Sequence, residues 1–245
     1  IYRFDVGGDL LIAAGGGFDA DDKGYQFRLG PGALTNGNYN GGGYGGIGGW
    51  GFYGSVGFGP SYGRVEGPVQ AGSGGQPAGA GWGGGGIVLH VQGDAIIHGW
   101  LSARGEPGTP NHNGGGSGGG IELHCRTLQG ENSGLFRADG GIGVYYGGNG
   151  GGGRIVVRYD PVQQAQLIQQ PQVRFSTFAH RANTHVATEW AYFGEPGTLY
   201  VPDTTLFQSP AGDVTLDQFR LWHTVLVMSN TPSRWAMNSL WISNS

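Results

Sequence analysis

The chain has 245 residues, a formal net charge of −4, a single lysine (Lys23) and a single cysteine (Cys125). With 12% charged residues, half the usual share of about 25%, but 12% aromatic and 38% hydrophobic residues, its composition is neither that of a disordered chain nor that of a nucleic-acid binder with a basic face. One cysteine excludes an internal disulfide framework and a cysteine-rich metal cluster, and no apolar run approaches the roughly 18 residues of a membrane span.

Glycine divides the chain. All but three of the 55 glycines (Gly194, Gly197 and Gly212) precede residue 160. Such density rules out ordinary helices and a conventional core, because glycine brings no side chain and loses the most backbone entropy on folding. The break predicts two joined parts: a glycine-rich repeat region over 1–160 with a polyglycine insertion at about 25–84, and a glycine-poor β continuation over 161–245. The first residue, Ile1, predicts a processed product or a fragment.

In chain order, the first element is Gly8-Asp9-Leu10-Leu11-Ile12, which matches Gly93-Asp94-Ala95-Ile96-Ile97 and predicts a degenerate first repeat. Phe18 and Ala20 follow, a bulky residue two before an alanine that returns as Leu101/Ala103 and Phe136/Ala138. Within the insertion, Gly42, Gly45, Gly48, Gly51, Gly54 and Gly57 recur every third residue, with Tyr44, Ile47, Trp50, Tyr53 and Val56 in the same register. Period three belongs to an extended polyproline II type helix and predicts one edge carrying the apolar side chains. A collagen triple helix would need prolines that the run lacks, and low-complexity disorder is the other competitor. We expect a bundle of such segments whose backbone groups pair with one another.

Three strand-like runs come next: Ile87–Val91, Ile121–Cys125 and Ile155–Tyr159. Their starts lie 34 residues apart, each follows a glycine run, and each alternates with period two. The inward set is then Ile87, Leu89, Val91, Ile121, Leu123, Cys125, Ile155, Val157 and Tyr159. The Gln-rich stretch 163–172 reads as an ordered crossover. Beyond it, Leu199–Val201, Phe219–Leu221 and Leu240–Ile242 recur at 20 and 21 residues, a spacing that suits one further turn each. The predicted fold is all-β: a parallel β-solenoid, β-helix-like, with glycine-rich extended segments of polyproline or polyglycine II type packed beside it.

The runs Gly115–Leu123, Gly134–Gly141 and Gly151–Tyr159 resemble the glycine-rich β-solenoid repeats of large secreted or surface proteins of bacteria and protists. The resemblance spans about residues 5–160 and implies an adhesin-like or structural role with no catalytic set to transfer. The stretch Gly41–Gly59 is more weakly similar to polyglycine-rich tip adhesins of phage tail fibres.

Chemistry-bearing residues are few. Asp19, Asp21 and Asp22 are candidate calcium ligands, but a helix-flanked calcium loop also needs a ligand where Lys23 stands and a distal glutamate. His90 and His124 hold equivalent outward positions and would neighbour each other in a direct stack, as a polar pair or a transition-metal site; Arg158 is the third equivalent. Solenoid polysaccharide-degrading enzymes require convergent carboxylates or an Arg/Lys base beside acidic groups on one face, whereas the acids here are scattered along the sequence; such an enzyme is the third-ranked reading, and no enzyme activity and no cofactor is expected. The expected function is structural and extracellular or at the cell surface: self-association into a homopolymer, a filament or sheath. Tyr44, Trp50, Tyr53, Leu240, Trp241 and Ile242 would serve as contact residues. The alternative is a glycan-binding adhesin module using its aromatic rings.

Overall fold

The computed structural model describes residues 1–34, 39–51, 57–110, 113–181, 193–209, 211–217, 219–228 and 237–243. Among these, sixteen strands accompany one five-residue α-helix and one 3-10 turn, so the protein is all-β. No helix of the described residues is long and apolar enough to cross a membrane.

The chain visits three sheets in a fixed order. Its first pass lays down β1 (Tyr2–Val6), β2 (Leu10–Ile12) and β3 (Gly17–Asp19), and its second β4 (Gly86–Val91), β5 (Ala95–Ile97) and β6 (Trp100–Ser102). The third adds β7 (Gly120–His124), β8 (Leu128–Gln129) and β9 (Leu135–Arg137). On the fourth, β10 (Arg154–Arg158) and β11 (Arg174–Ser176) flank helix α1 (Pro161–Ala165). There follow β12 (Thr198–Val201), β13 (Asp213–Asp217), β14 (Leu221–Trp222), β15 (Val225–Met228) and β16 (Ser239–Ser243). The sheets run β1-β4-β7-β10-β12-β15, β14-β11-β9-β6-β3 and β2-β5-β8, with β13-β16 as a separate pair. Every strand pair is parallel.

Period-two alternation fixes the register, because a slip of one residue would turn every inward side chain outward. Tyr2, Ile87, Ile121, Ile155, Leu199 and Leu226 align across the six-stranded sheet. Phe18, Leu101, Phe136, Phe175 and Leu221 form the matching row of the five-stranded sheet. Both rows meet in one hydrophobic core. The N-terminal repeat lies in register as expected, Leu10 on Ala95 and Ile12 on Ile97. Of the predicted inward residues all are buried except Cys125, which is partly buried against the core and whose thiol burial pushes up to about 12.

Helix α1 stands where the three-stranded sheet would gain its next strand. Asp160 caps it, its Oδ1 accepting from the Val162 and Gln163 amides at 2.9 and 3.2 Å, and Pro161 opens it. The buried Gln164 side chain then imitates the missing strand: its Oε1 accepts from Leu128 N (2.8 Å) and its Nε2 donates to Leu128 O (2.9 Å). The free edge of β8 is closed by one amide.

The glycine-rich segments are the connections that lead from the five-stranded sheet back to the six-stranded one, and they pack on one another. Segment 113–120 pairs with six neighbouring stretches, around residues 42, 73–76, 81–85, 103–106, 141–144 and 148–154. Its amides follow a threefold alternation: Gly114 and Ser117 donate to Gln76 and Ser73, Gly115 and Gly118 to Gly148 and Gly151, Gly116 and Gly119 to Glu106 and Ala103. Residues i and i+3 therefore face the same partner, as in an extended helix of three residues per turn. A Cβ on Gly114, Gly115 or Gly116 would lie 2.1, 2.1 or 1.9 Å from a neighbouring carbonyl oxygen, which is why these positions are glycine.

Three expectations are corrected. The run from Gly42 does not form one straight edge: the chain bends at Tyr44–Gly46, and Gly41 N donates to Gly49 O. Tyr44 is fully buried, its ring 4.8 Å from that of Tyr62 and 5.5 Å from the Arg154 guanidinium, so it is no contact residue for a partner. The 20- and 21-residue spacing after residue 160 does not mark successive strands of one sheet either. Leu199 pairs with Leu226, Leu221 lies in the five-stranded sheet, and Leu240–Ile242 pair with Val214–Leu216. Phe219 sits in a turn ahead of the two-residue strand β14, so the equal intervals join residues from three different sheets.

Candidate functional site

Two outward surfaces gather chemistry-bearing side chains. The first is a groove of about 660 Å³ along the five-stranded sheet, lined by Arg104, Arg137, Arg174, Phe178, Phe219 and Trp222 together with Asp22, Asp139 and His180. Carboxylates hold two of these guanidinium groups. Asp139, itself buried, takes Arg137, the Ser176 hydroxyl and the Phe178 amide (2.9 Å). Asp21 accepts from Arg104 Nε at 2.7 Å, from its amide at 2.7 Å and from Ser102 Oγ at 2.6 Å. Arg174 differs: its Nε is sealed from solvent without a hydrogen-bond partner, and its guanidinium lies 5.6 Å from the Phe219 ring. Phe178 bridges the aromatic wall, 6.3 Å from Trp222 and 4.8 Å from His180. Burial holds the His180 imidazole below its ordinary value.

Asp19, Asp21 and Asp22 are close in sequence but not convergent as ligands. Asp19 Oδ1 caps the Asp21 amide (2.8 Å), and Asp21 is spent on Arg104. Burial works against Asp21, yet its hydrogen bonds outweigh that and hold the carboxyl below the usual range. Burial, Glu106 and Asp21 push Asp22 the other way, up to about 6. The folded protein thus keeps this proton to higher pH than the unfolded chain, so the charge on Asp22 costs stability above about pH 6 and nothing below the ordinary 3.8. Asp22→Asn is expected to stabilise the fold at pH 7.5 by about 1 kcal/mol after solvent screening, read as a raised thermal midpoint, and to leave it unchanged at pH 3.5. Asparagine tolerates the φ of +56° at this position, so the comparison is free of backbone strain.

The second surface is the outward face of the six-stranded sheet. Register sets Asp5, His90, His124 and Arg158 in one row, and the imidazoles of His90 and His124 stack with centroids 4.7 Å apart at 27°. Glu122, two residues before His124 on the same face, brings Oε1 to 3.0 Å from His124 Nε2. The neighbouring His124 keeps the Glu122 carboxyl below its ordinary value against the opposing effect of burial. The irregular segment following Val65 covers this face, with Val69 in a small apolar cluster with Val88, Val156 and Tyr200, and Val69 N donates to Glu122 Oε2 at 3.2 Å.

The stacked histidines were legible from the 34-residue spacing, and Glu122 was not singled out, although its two-residue offset from His124 placed it on the same face. Arg104, Arg137, Arg174 and Asp139 were missed because the groove draws them from three separate passes. Of the proposed contact residues, Trp50 is half-buried with Phe58 at 6.3 Å, Leu240, Trp241 and Ile242 are exposed on edge strand β16, and Tyr53 lies outside the described residues. No family model, curated protein or solved structure matches this chain.

Proposed function

We propose that the chain is a parallel β-solenoid with a polyglycine II-like bundle beside it, and that it serves as a structural extracellular protein joining end to end with further copies of itself. The observation that carries this reading is the state of the outermost strands. Tyr2 and Phe4 occupy the register positions of the fully buried Ile87 and Leu89, yet they are 48% and 41% exposed, because among the described residues β1 has no strand on its outer side. At the opposite end, Val225 of β15 and Leu240, Trp241 and Ile242 of β16 are at least half exposed. Unpaired parallel edges with apolar rows at both ends are templates for strand addition, and a head-to-tail contact that does not close yields a filament.

Sedimentation and negative-stain imaging test this. The chain is expected to form concentration-dependent linear oligomers, which Tyr2→Lys at one end or Trp241→Lys at the other reduces to monomers. A wild type that stays monomeric at its solubility limit would reject the reading. The groove favours a second one, recognition of acidic glycans, since Arg174, the one of its three arginines with no carboxylate partner among the described residues, can pair with a carboxylate or sulfate, and Trp222 and Phe219 offer faces to sugar rings.

A further inference from the structure

We propose that His90, Glu122 and His124 form a binding site for a divalent transition metal of the zinc type on the outer face of the six-stranded sheet. The donor set suits such an ion: two imidazole nitrogens and one carboxylate oxygen, one atom from each lying within 4.8 Å of the other two. They are the only three potential ligands so gathered among the described residues. Bond lengths of about 2.0–2.2 Å require the donors to close in by about 1 Å, a shift that rotation of two half-exposed imidazoles supplies.

Three further observations point to a ligand rather than to a plain polar row. His124 Nε2 is shut off from solvent and makes no aligned hydrogen bond despite its 3.0 Å approach to Glu122 Oε1, so a buried nitrogen is left with its main partner geometrically unsatisfied. Glu122 is 7% exposed and anchored through Oε2 by the Val69 amide, which leaves Oε1 directed at the imidazoles. Asp5 Oδ1 stands 3.4 Å from His90 Nδ1, a nitrogen that accepts from Arg3 at 3.1 Å; with Arg3 turned away, Asp5 is placed to accept a hydrogen bond from Nδ1–H and so leave Nε2 free to ligate, the outer-shell arrangement common to metal-bound histidines.

The flanking cations leave room for the ion. Arg158, next in the row, donates to Glu66 O at 2.7 Å and lies 5.0 Å over the Tyr200 ring, drawn away from His124. Arg3, which reaches His90 Nδ1 at 3.1 Å, is exposed on the edge strand and can swing aside. A hollow of about 470 Å³ borders Asp5, His90 and His124 and can hold a water as fourth ligand. This inference is independent of self-association.

The test is calorimetric titration of the full chain, free of any polyhistidine tag, with zinc chloride. One equivalent is expected to bind. His124→Gln and Glu122→Gln should each weaken it by more than about 100-fold, and Asp5→Asn by about tenfold, as an outer partner does. Histidine proton resonances supply a second readout that needs no variant: those of His90 and His124 should move together at one equivalent while the rest of the seven histidines stay in place. Absence of binding by the wild type, or equal binding by His124→Gln, would overturn the proposal, as would a zinc-induced shift confined to other histidines.

Discussion

Gly116→Ala is expected to abolish the folded state. The Gly116 amide donates to Glu106 O at 2.9 Å and its carbonyl accepts from Gly141 N at 2.8 Å, so two neighbouring segments hold its backbone in place. A methyl group there would sit 1.9 Å from the Trp82 carbonyl oxygen and 2.3 Å from its carbon. That carbonyl cannot retreat, because it accepts from the Glu106 amide at 2.8 Å. The obstruction is backbone on all sides, with no flexible side chain to yield. The cost belongs with the exceptional losses of more than about 4–5 kcal/mol, comparable with the whole stability of a domain. Gly8→Ala is the matched control, since nothing lies within 4 Å of its Cβ, and its effect should stay within about 0.5 kcal/mol. Circular dichroism and thermal melting of both variants check the contrast. Two similar melting curves would contradict it.

The second large effect is expected from Phe136→Ala. Phe136 is fully buried in the middle of the row Phe18, Leu101, Phe136, Phe175 and Leu221, with the Phe175 ring 5.1 Å away. Neighbours on both sides are held by their own strands, so the gap left by the ring cannot collapse, and the loss should be about 3–5 kcal/mol. For a chain of this size that corresponds to roughly 6–20 °C in thermal midpoint. Phe18→Ala, at the open end of the same row, should cost less than half as much, because Phe18 is only half-buried and, among the described residues, has a strand on one side alone. Equal losses at the two positions would mean that the row is not an interior one.

What could be read from the sequence followed from how each segment is stabilised. The strands Ile87–Val91, Ile121–Cys125 and Ile155–Tyr159 were legible because period-two alternation and constant spacing report the same burial three times over. Later strands were not, since the interval from Ile155 to its partner Leu199 is 44 residues and that from Leu199 to Leu226 is 27. The glycine bundle was legible as extended and backbone-paired, while its turn at Tyr44 was not: that ring is placed by Tyr62 and by Arg154, 110 residues further on. The helix at Pro161 was hidden for a related reason, its role resting on one glutamine amide that reaches β8. The groove arginines carry no local signal, because surface charges become a site only when separate passes of the chain bring them together.

Hydrogen exchange of the amides from Gly114 to Gly119 tests the central claim, that bare glycine backbones pressed together form a stable interior. These residues lie outside every strand, yet each amide has a backbone acceptor at 2.7–3.0 Å. They are predicted to exchange as slowly as the amides of β7 and β10. Exchange as rapid as in an unprotected loop would contradict the account.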